Sequence, residues 1–191
     1  MKVLARRGKY QFIKLEQASE VDRFEIPCSE SEYDDGFDFF RGIGLTDYRK
    51  SFKAWLRRFP RPILIIAADN LRIVSWVFIE EWYENAKDGA PVYVLRSIET
   101  IKGLREQKLG FRLLLLGSAQ VPGYIIAKPL NHSAEKFFEK NGFMHEDEFR
   151  RKPLDLSKNH GYLILPPFKK RLLQEDLGRY FDEISEELLR T

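Results

Sequence analysis

Residues 131–143 read "NHSAEKFFEKNGF" and follow directly on the apolar run "GYIIAKPL" at 123–130. A short uninterrupted apolar run with turn residues at its start reads as a buried strand, and the polar head, spaced aromatics and Asn-Gly close read as a helix capped at both ends. Packing accounts for Phe137, Phe138 and Phe143. Gly142 after Asn141 fits a helix end, and Asn131 and Ser133 are both N-cap candidates. Packing does not explain why an Asn leads the helix directly after the strand, with a small residue, Ala134, three positions on.

Upstream, "KGLREQKLGFRLLLLGSAQ" at 102–120 is a charged, Gly-bounded loop running into a helix that is apolar on nearly every side and so must be buried. The free amides and positive dipole end of such a helix bind anions, and Arg105 and Lys108 add charge beside them. The Gly-Lys-Ser/Thr ending of a Walker loop and the dinucleotide fingerprint are both absent. Further back, "PILIIAADNLRIVSWVFIEEWYE" at 62–84 is two β-rich runs about Asp69-Asn70, a hairpin, and "APVYVLRSIETI" at 90–101 is a third strand of that group.

The N-terminal third begins with the alternating "YQFIKLE" at 10–16. Residues 31–59 then read as two Gly-broken, aromatic-rich helical segments, with Thr46 as N-cap candidate. After the quoted helix, "FMHEDEFRRK" and "GYLILPPF" supply two more expected strands. Residues 1–167 are expected to form one domain. Residues 168–191 form a helical tail, with Leu173, Leu177, Phe181, Ile184 and Leu188 on one stripe that packs on that domain or serves a homodimer.

With 191 residues, 43% of them hydrophobic, a sizeable core is available. The apolar runs fall short of the roughly 20 residues that span a bilayer, so no membrane partner is expected. One cysteine forms no internal disulfide, which suits a cytoplasmic location, and three His with one Cys leave little for a structural zinc site. A net charge of +3 from 32 basic and 29 acidic residues gives no expectation of nucleic acid.

The loop resembles the pyrophosphate loop of the GCN5-related N-acetyltransferases (GNATs), Gln/Arg-x-x-Gly-x-Gly/Ala. Arg105-Glu106-Gln107-Lys108-Leu109-Gly110 matches at its first and last positions, with Lys108 at the middle glycine. The quoted helix is similar to the family's Asn-x-x-Ala-x-x-Phe-Tyr followed by Gly-Phe: Asn131, Ala134, Phe137, Phe138, Gly142 and Phe143 are in register. The hairpin also looks like the family's second and third strands, with Ser75 where glycine is common. The resemblance covers about residues 63–145. It implies an α/β (α+β) fold with a GNAT-type mixed, mostly antiparallel central sheet, splayed fourth and fifth strands, and flanking helices.

The resemblance further implies acetyl-CoA as cofactor and a small-molecule or peptide amine as acceptor, which attacks the thioester directly in a ternary complex. Backbone groups at Ile98, Thr100 and Ile101 would hold the acyl arm. Arg105, Glu106, Gln107, Lys108, Leu109, Gly110 and Phe111 would surround the pyrophosphate, and Asn131, Ala134, Phe137 and Phe138 would line the arm's other side. A lysine-like amine has a pKa of about 10.4, so a base or a water chain must take its proton; Glu99 is the first candidate base and Glu81 the second. The family often has a Tyr as general acid at the position of Phe138, which leaves water or another Tyr, such as Tyr162, for that step.

Overall fold

The computed structural model describes residues 1–28, 35–175 and 177–189. Its strands are β1 (Lys2–Arg7), β2 (Tyr10–Leu15), β3 (Ile63–Asp69), β4 (Arg72–Glu81), β5 (Val92–Thr100), β6 (Tyr124–Ala127), β7 (Leu163–Leu165) and β8 (Glu183–Ile184). They form one sheet in the order β7-β6-β5-β4-β3-β2-β1-β8. Every pairing is antiparallel except β5 with β6. The family's fourth and fifth strands are therefore β5 and β6 here, because β1 precedes the rest.

The β3–β4 hairpin forms where Asp69-Asn70 placed it, and Asn70 takes the left-handed conformation (φ 54°) that Asn tolerates in such turns. On one face of the sheet lies α2 (Leu109–Ala119), packed on β3, β4 and β5. Its approach is close: a Cβ on Gly117 would stand 2.7 Å from Ile79 Cδ1, so any larger residue there would have to displace that side-chain end. The opposite face carries α1 (Tyr48–Trp55), whose aromatic residues gather with Phe37 and Phe40 around the fully buried Trp76. Helix α3 is His132–Lys140.

Four sequence expectations change. The N-cap of α1 is Asp47, whose carboxylate accepts from the Lys50 N–H at 2.9 Å, and not Thr46. Among the described residues, the first expected helical segment is a single 3-10 turn at Arg41–Ile43; its start, 31–34, lies outside them. "FMHEDEFRRK" gives no strand but one bridge, Met144 to Ile164, and a 3-10 turn at Glu146–Glu148. The tail is not one helical stripe: α4 (Pro167–Glu175) and the short α5 (Leu177–Tyr180) lead into β8, which pairs with β1, and α6 (Glu186–Leu189) follows. Leu177 and Phe181 are buried in the main core, and Phe181 meets Phe12 edge-on at 5.2 Å. Pairing to an edge strand some 180 positions away leaves no local trace that periodicity could detect.

Where α4 crosses the end of α2, Lys170 is 7% exposed and its Nζ donates to the Val121 carbonyl. Burial lowers its pKa from 10.5 to about 8. Between those values the unfolded chain binds the extra proton, so this group's contribution to stability rises with pH and is lost as pH falls through about 8. Lys170→Met is expected to raise stability at pH 7 by about 1 kcal/mol, or roughly 2–4 °C in midpoint, with less gain at pH 10. Thermal unfolding at the two pH values checks this, and an equal or absent gain at both would refute it.

Candidate cofactor cleft

The cleft begins where β5 outruns β6. Pairing between them covers Val92–Leu95 with Tyr124–Ala127 and stops. Two local features end it. Opposite β4, Phe78 pairs with Ser97 and Ile79 with Leu95, so Arg96 is an extra, bulged residue that turns the upper part of β5. On the β6 side, Pro129 has no N–H to offer a ladder. Residues Ser97–Thr100 thus stay paired to β4 and have a free edge toward β6.

Ladder alternation says which peptide groups line that edge. The Ile101 N–H donates to the Val74 carbonyl at 3.1 Å, so the peptides of Ser97 and Glu99 also face β4, while those of Ile98 and Thr100 face the opening. The peptide groups of Ile98 and Thr100 thus face the opening, and the Thr100 carbonyl accepts from Arg105 Nε at 3.4 Å. The Ile101 N–H is already used. Ser75, where the family often has glycine, is fully buried and hydrogen-bonds to the Glu99 carbonyl at 2.8 Å and the Thr100 hydroxyl at 2.7 Å.

At the top of this edge the chain makes a 3-10 turn, Lys102–Gln107, and enters α2 through Lys108 in the left-handed conformation. The first intrahelical bond is made by Arg112 N–H to the Lys108 carbonyl, which leaves the amides of Leu109, Gly110 and Phe111 ahead of it. A Cβ on Gly110 would lie 3.6 Å from Thr100 Oγ1 and 3.9 Å from Ile98 Cδ1, so the free edge of β5 and the helix amides adjoin. Lys108 and Glu106 are exposed, whereas the Leu109 side chain is in the core. The Arg105 guanidinium turns toward the other face, reaching Asp38 Oδ1 and the Thr100 carbonyl, each at 3.4 Å; Lys102 also pairs with Asp38, at 2.7 Å.

The second sequence motif forms α3, the helix that follows β6. Asn131 Oδ1 accepts from the Ala134 N–H at 2.9 Å, so its side chain caps α3. Ala134 and Phe137 are half-buried, and Phe138 is buried against Phe137 and Phe143. Tyr162 lies against Trp82 and Lys128. On the outer side of α3, Glu135, Glu139 and His145 bring ligand atoms within 4.8 Å of one another. The Glu139 hydrogen bond raises the His145 pKa, as expected of a surface ion pair, and no ion is assigned to the group.

Glu99 is 5% exposed on the α1 face of β5. Its Oε1 accepts from the Asp38 and Phe39 N–H groups at 3.1 and 2.9 Å, and its Oε2 from the Tyr48 hydroxyl at 2.9 Å. Burial raises its pKa, opposed by those three donors, and burial next to the Glu99 charge raises that of Tyr48. The sequence reading missed Tyr48 and Asp38. Both lie at least 51 positions from Glu99, and only the fold joins them. Glu81 is exposed and pairs with Tyr93, on the far side of the point where the strands part; Glu80 lies between Arg58 and Arg96 at 2.8 and 2.6 Å.

No protein-family model and no curated protein matches the sequence. Solved structures do resemble the fold. A Tyr-to-Phe mutant of the AtaT toxin, bound to the C-terminus of the antitoxin AtaR, is 17% identical with a TM-score of 0.59, over 87% of this chain and 98% of that one. The KacTA–DNA complex is 16% identical with a TM-score of 0.60, over 87% and 99%. AtaTR bound with acetyl-CoA is 16% identical with a TM-score of 0.55, over 86% and 98%. The likeness is one of fold, and the fold is that of the GNAT acetyltransferases. Among the described residues, no helix is long and apolar enough to cross a membrane.

Proposed function

We propose that this chain, with its GNAT fold, is an acetyl-CoA-dependent N-acetyltransferase that acts on a primary amine by direct attack in a ternary complex. One observation carries the reading: the unpaired edge of β5 leads straight into the free amides at the start of α2. An unpaired edge binds an extended, amide-bearing arm by strand-like hydrogen bonds, and helix amides bind phosphate. CoA has both parts in that order. Ile98 and Thr100 would pair with the pantetheine arm, while Leu109, Gly110 and Phe111 would hold the pyrophosphate with Lys108 beside them. Arg105 would have to leave Asp38 to join them. Asn131, Ala134, Phe137 and Phe138 would form the other wall.

The amine nitrogen attacks the thioester carbonyl, the carbon–sulfur bond breaks, and the sulfur leaves as thiolate. Glu99 would take the amine's proton: three described donors occupy a carboxylate that has about four acceptor positions, and burial has already raised its basicity. Phe138 gives no proton, but a thiol with a pKa of about 8.5 leaves readily as thiolate and takes its proton from water.

A second reading, a CoA-binding module without catalysis, is favoured by Phe138 and by the structural bonds that Glu99 already makes. The test is acetyl-CoA with a panel of polyamines, aminoglycosides, amino acids and peptides. Release of free thiol faster than without amine supports the transferase. CoA binding with no release for any acceptor supports the module. The solved neighbours include toxins in complex with an antitoxin and with DNA, so a polypeptide partner and nucleic acid both belong among the candidates to test, and a net charge of +3 excludes neither.

A further inference from the structure

The bend that presents the α2 amides is held from outside the loop. Lys108 has φ 57° and ψ 24°, a conformation that costs a residue with a side chain about 1 kcal/mol. Arg112 ties the carbonyls on either side of the bend's entry. Its N–H donates to the Lys108 carbonyl at 3.0 Å, and its Nη1 donates to the Gln107 carbonyl at 2.6 Å. From the other direction, the Tyr10 hydroxyl on β2 donates to Gln107 Oε1 at 2.7 Å. Gln107 is therefore gripped by main chain and side chain together.

Arg112 is itself anchored. Its Nε donates to the Tyr180 carbonyl at 2.9 Å, and the Tyr180 ring meets Phe111 edge-on at 4.9 Å. The segment after Tyr180 is fixed to the sheet: Asp182 accepts from the Gly8 N–H at 2.7 Å and from Arg7 at 2.6 Å, and β8 pairs with β1. A guanidinium is suited to this task because its rigid fork can serve two carbonyls at once.

We infer that Arg112 is a positioning residue for the phosphate-binding amides of α2, with the C-terminal segment through Tyr180 as its fixed point. The inference rests on the CoA reading of the cleft. Without Arg112 the Gln107 carbonyl is released and Lys108 can relax to a right-handed conformation, which turns the following amides away from the pyrophosphate. The free edge of β5, held by β4, is unaffected.

Calorimetry with two ligands tests this: CoA, which has the pyrophosphate, and S-acetylpantetheine, which lacks it. Hydrogen bonds from charged donors are strong enough that Arg112→Ala should weaken CoA binding about tenfold and leave S-acetylpantetheine within about twofold of wild type. Arg112→Lys, which can serve one carbonyl, should fall between. Tyr10→Phe removes a single neutral bond and should weaken CoA about threefold, which keeps the test intact if Arg112→Ala does not fold. Folded variants that bind CoA like wild type overturn the inference alone, as does an equal loss for both ligands. A wild-type protein that binds no CoA overturns it together with the transferase reading.

Discussion

Gly110→Glu is expected to abolish CoA binding while the chain stays folded. Two features of the position separate these effects. A Cβ at 110 meets nothing closer than Thr100 Oγ1 at 3.6 Å, so a side chain can enter without displacing the core. A carboxylate in the first turn of α2 also lies at the positive end of the helix dipole, which stabilises it. The same carboxylate occupies the amides meant for phosphate and repels a second anion, a loss of at least about a hundredfold in affinity, or ~3 kcal/mol. Gly110→Ala is the control: it adds no charge, removes a glycine from a helix, and should raise stability by up to about 1 kcal/mol. Calorimetry and thermal unfolding on both variants decide the matter. Unchanged CoA affinity in Gly110→Glu would remove the loop from the site.

The parts of the fold legible in the sequence are those whose causes are local. The β3–β4 hairpin needs only two β-rich runs and a residue that accepts φ 54°, and Asp69-Asn70 supplies the turn. Helix α3 carries its own cap in Asn131 and its own stop at Asn141-Gly142. The apolar run at 123–130 located β6, although the strand stops at Ala127, three residues before the run ends, and the Asn131 cap located the start of α3. β1 and β8 were not legible, because the charged β1 has little alternation and the two-residue edge strand β8 pairs with it across nearly the whole chain. Nor was the bulge at Arg96, which depends on register against β4 and not on any residue type.

The site divides in the same way. Arg105 to Gly110 could be recognised as a loop that meets a helix, yet the side chain that gave the loop much of its expected charge, Arg105, faces Asp38. Charge in a sequence has no direction; the fold supplies it. Glu99 could be chosen as a carboxylate on the right strand. Its bonds to Asp38, Phe39 and Tyr48, which connect the aromatic layer over Trp76 to β5, could not be foreseen from spacing.

Glu99→Gln is expected to lower kcat by about a hundredfold to a thousandfold, with whichever amine turns over, and to leave CoA affinity nearly unchanged. The substitution suits the structure. Gln Oε1 can accept from the Asp38 and Phe39 N–H groups, and Nε2 can donate to the Tyr48 hydroxyl, which has lone pairs free to receive it. Shape and the loop over β5 are kept, and only basicity is lost. The pH profile gives the sharper result. Burial holds the Glu99 pKa above the ordinary 4.5, so the carboxyl gains its proton at a higher pH than a free Glu, and wild-type activity should fall on the acid side through that raised value. In the variant that limb disappears, and the rate instead follows free amine, climbing more steeply toward the amine's own pKa. If kcat and the acid limb both survive, Glu99 serves only to hold Asp38, Phe39 and Tyr48 in place, and Glu81→Gln becomes the next variant to measure.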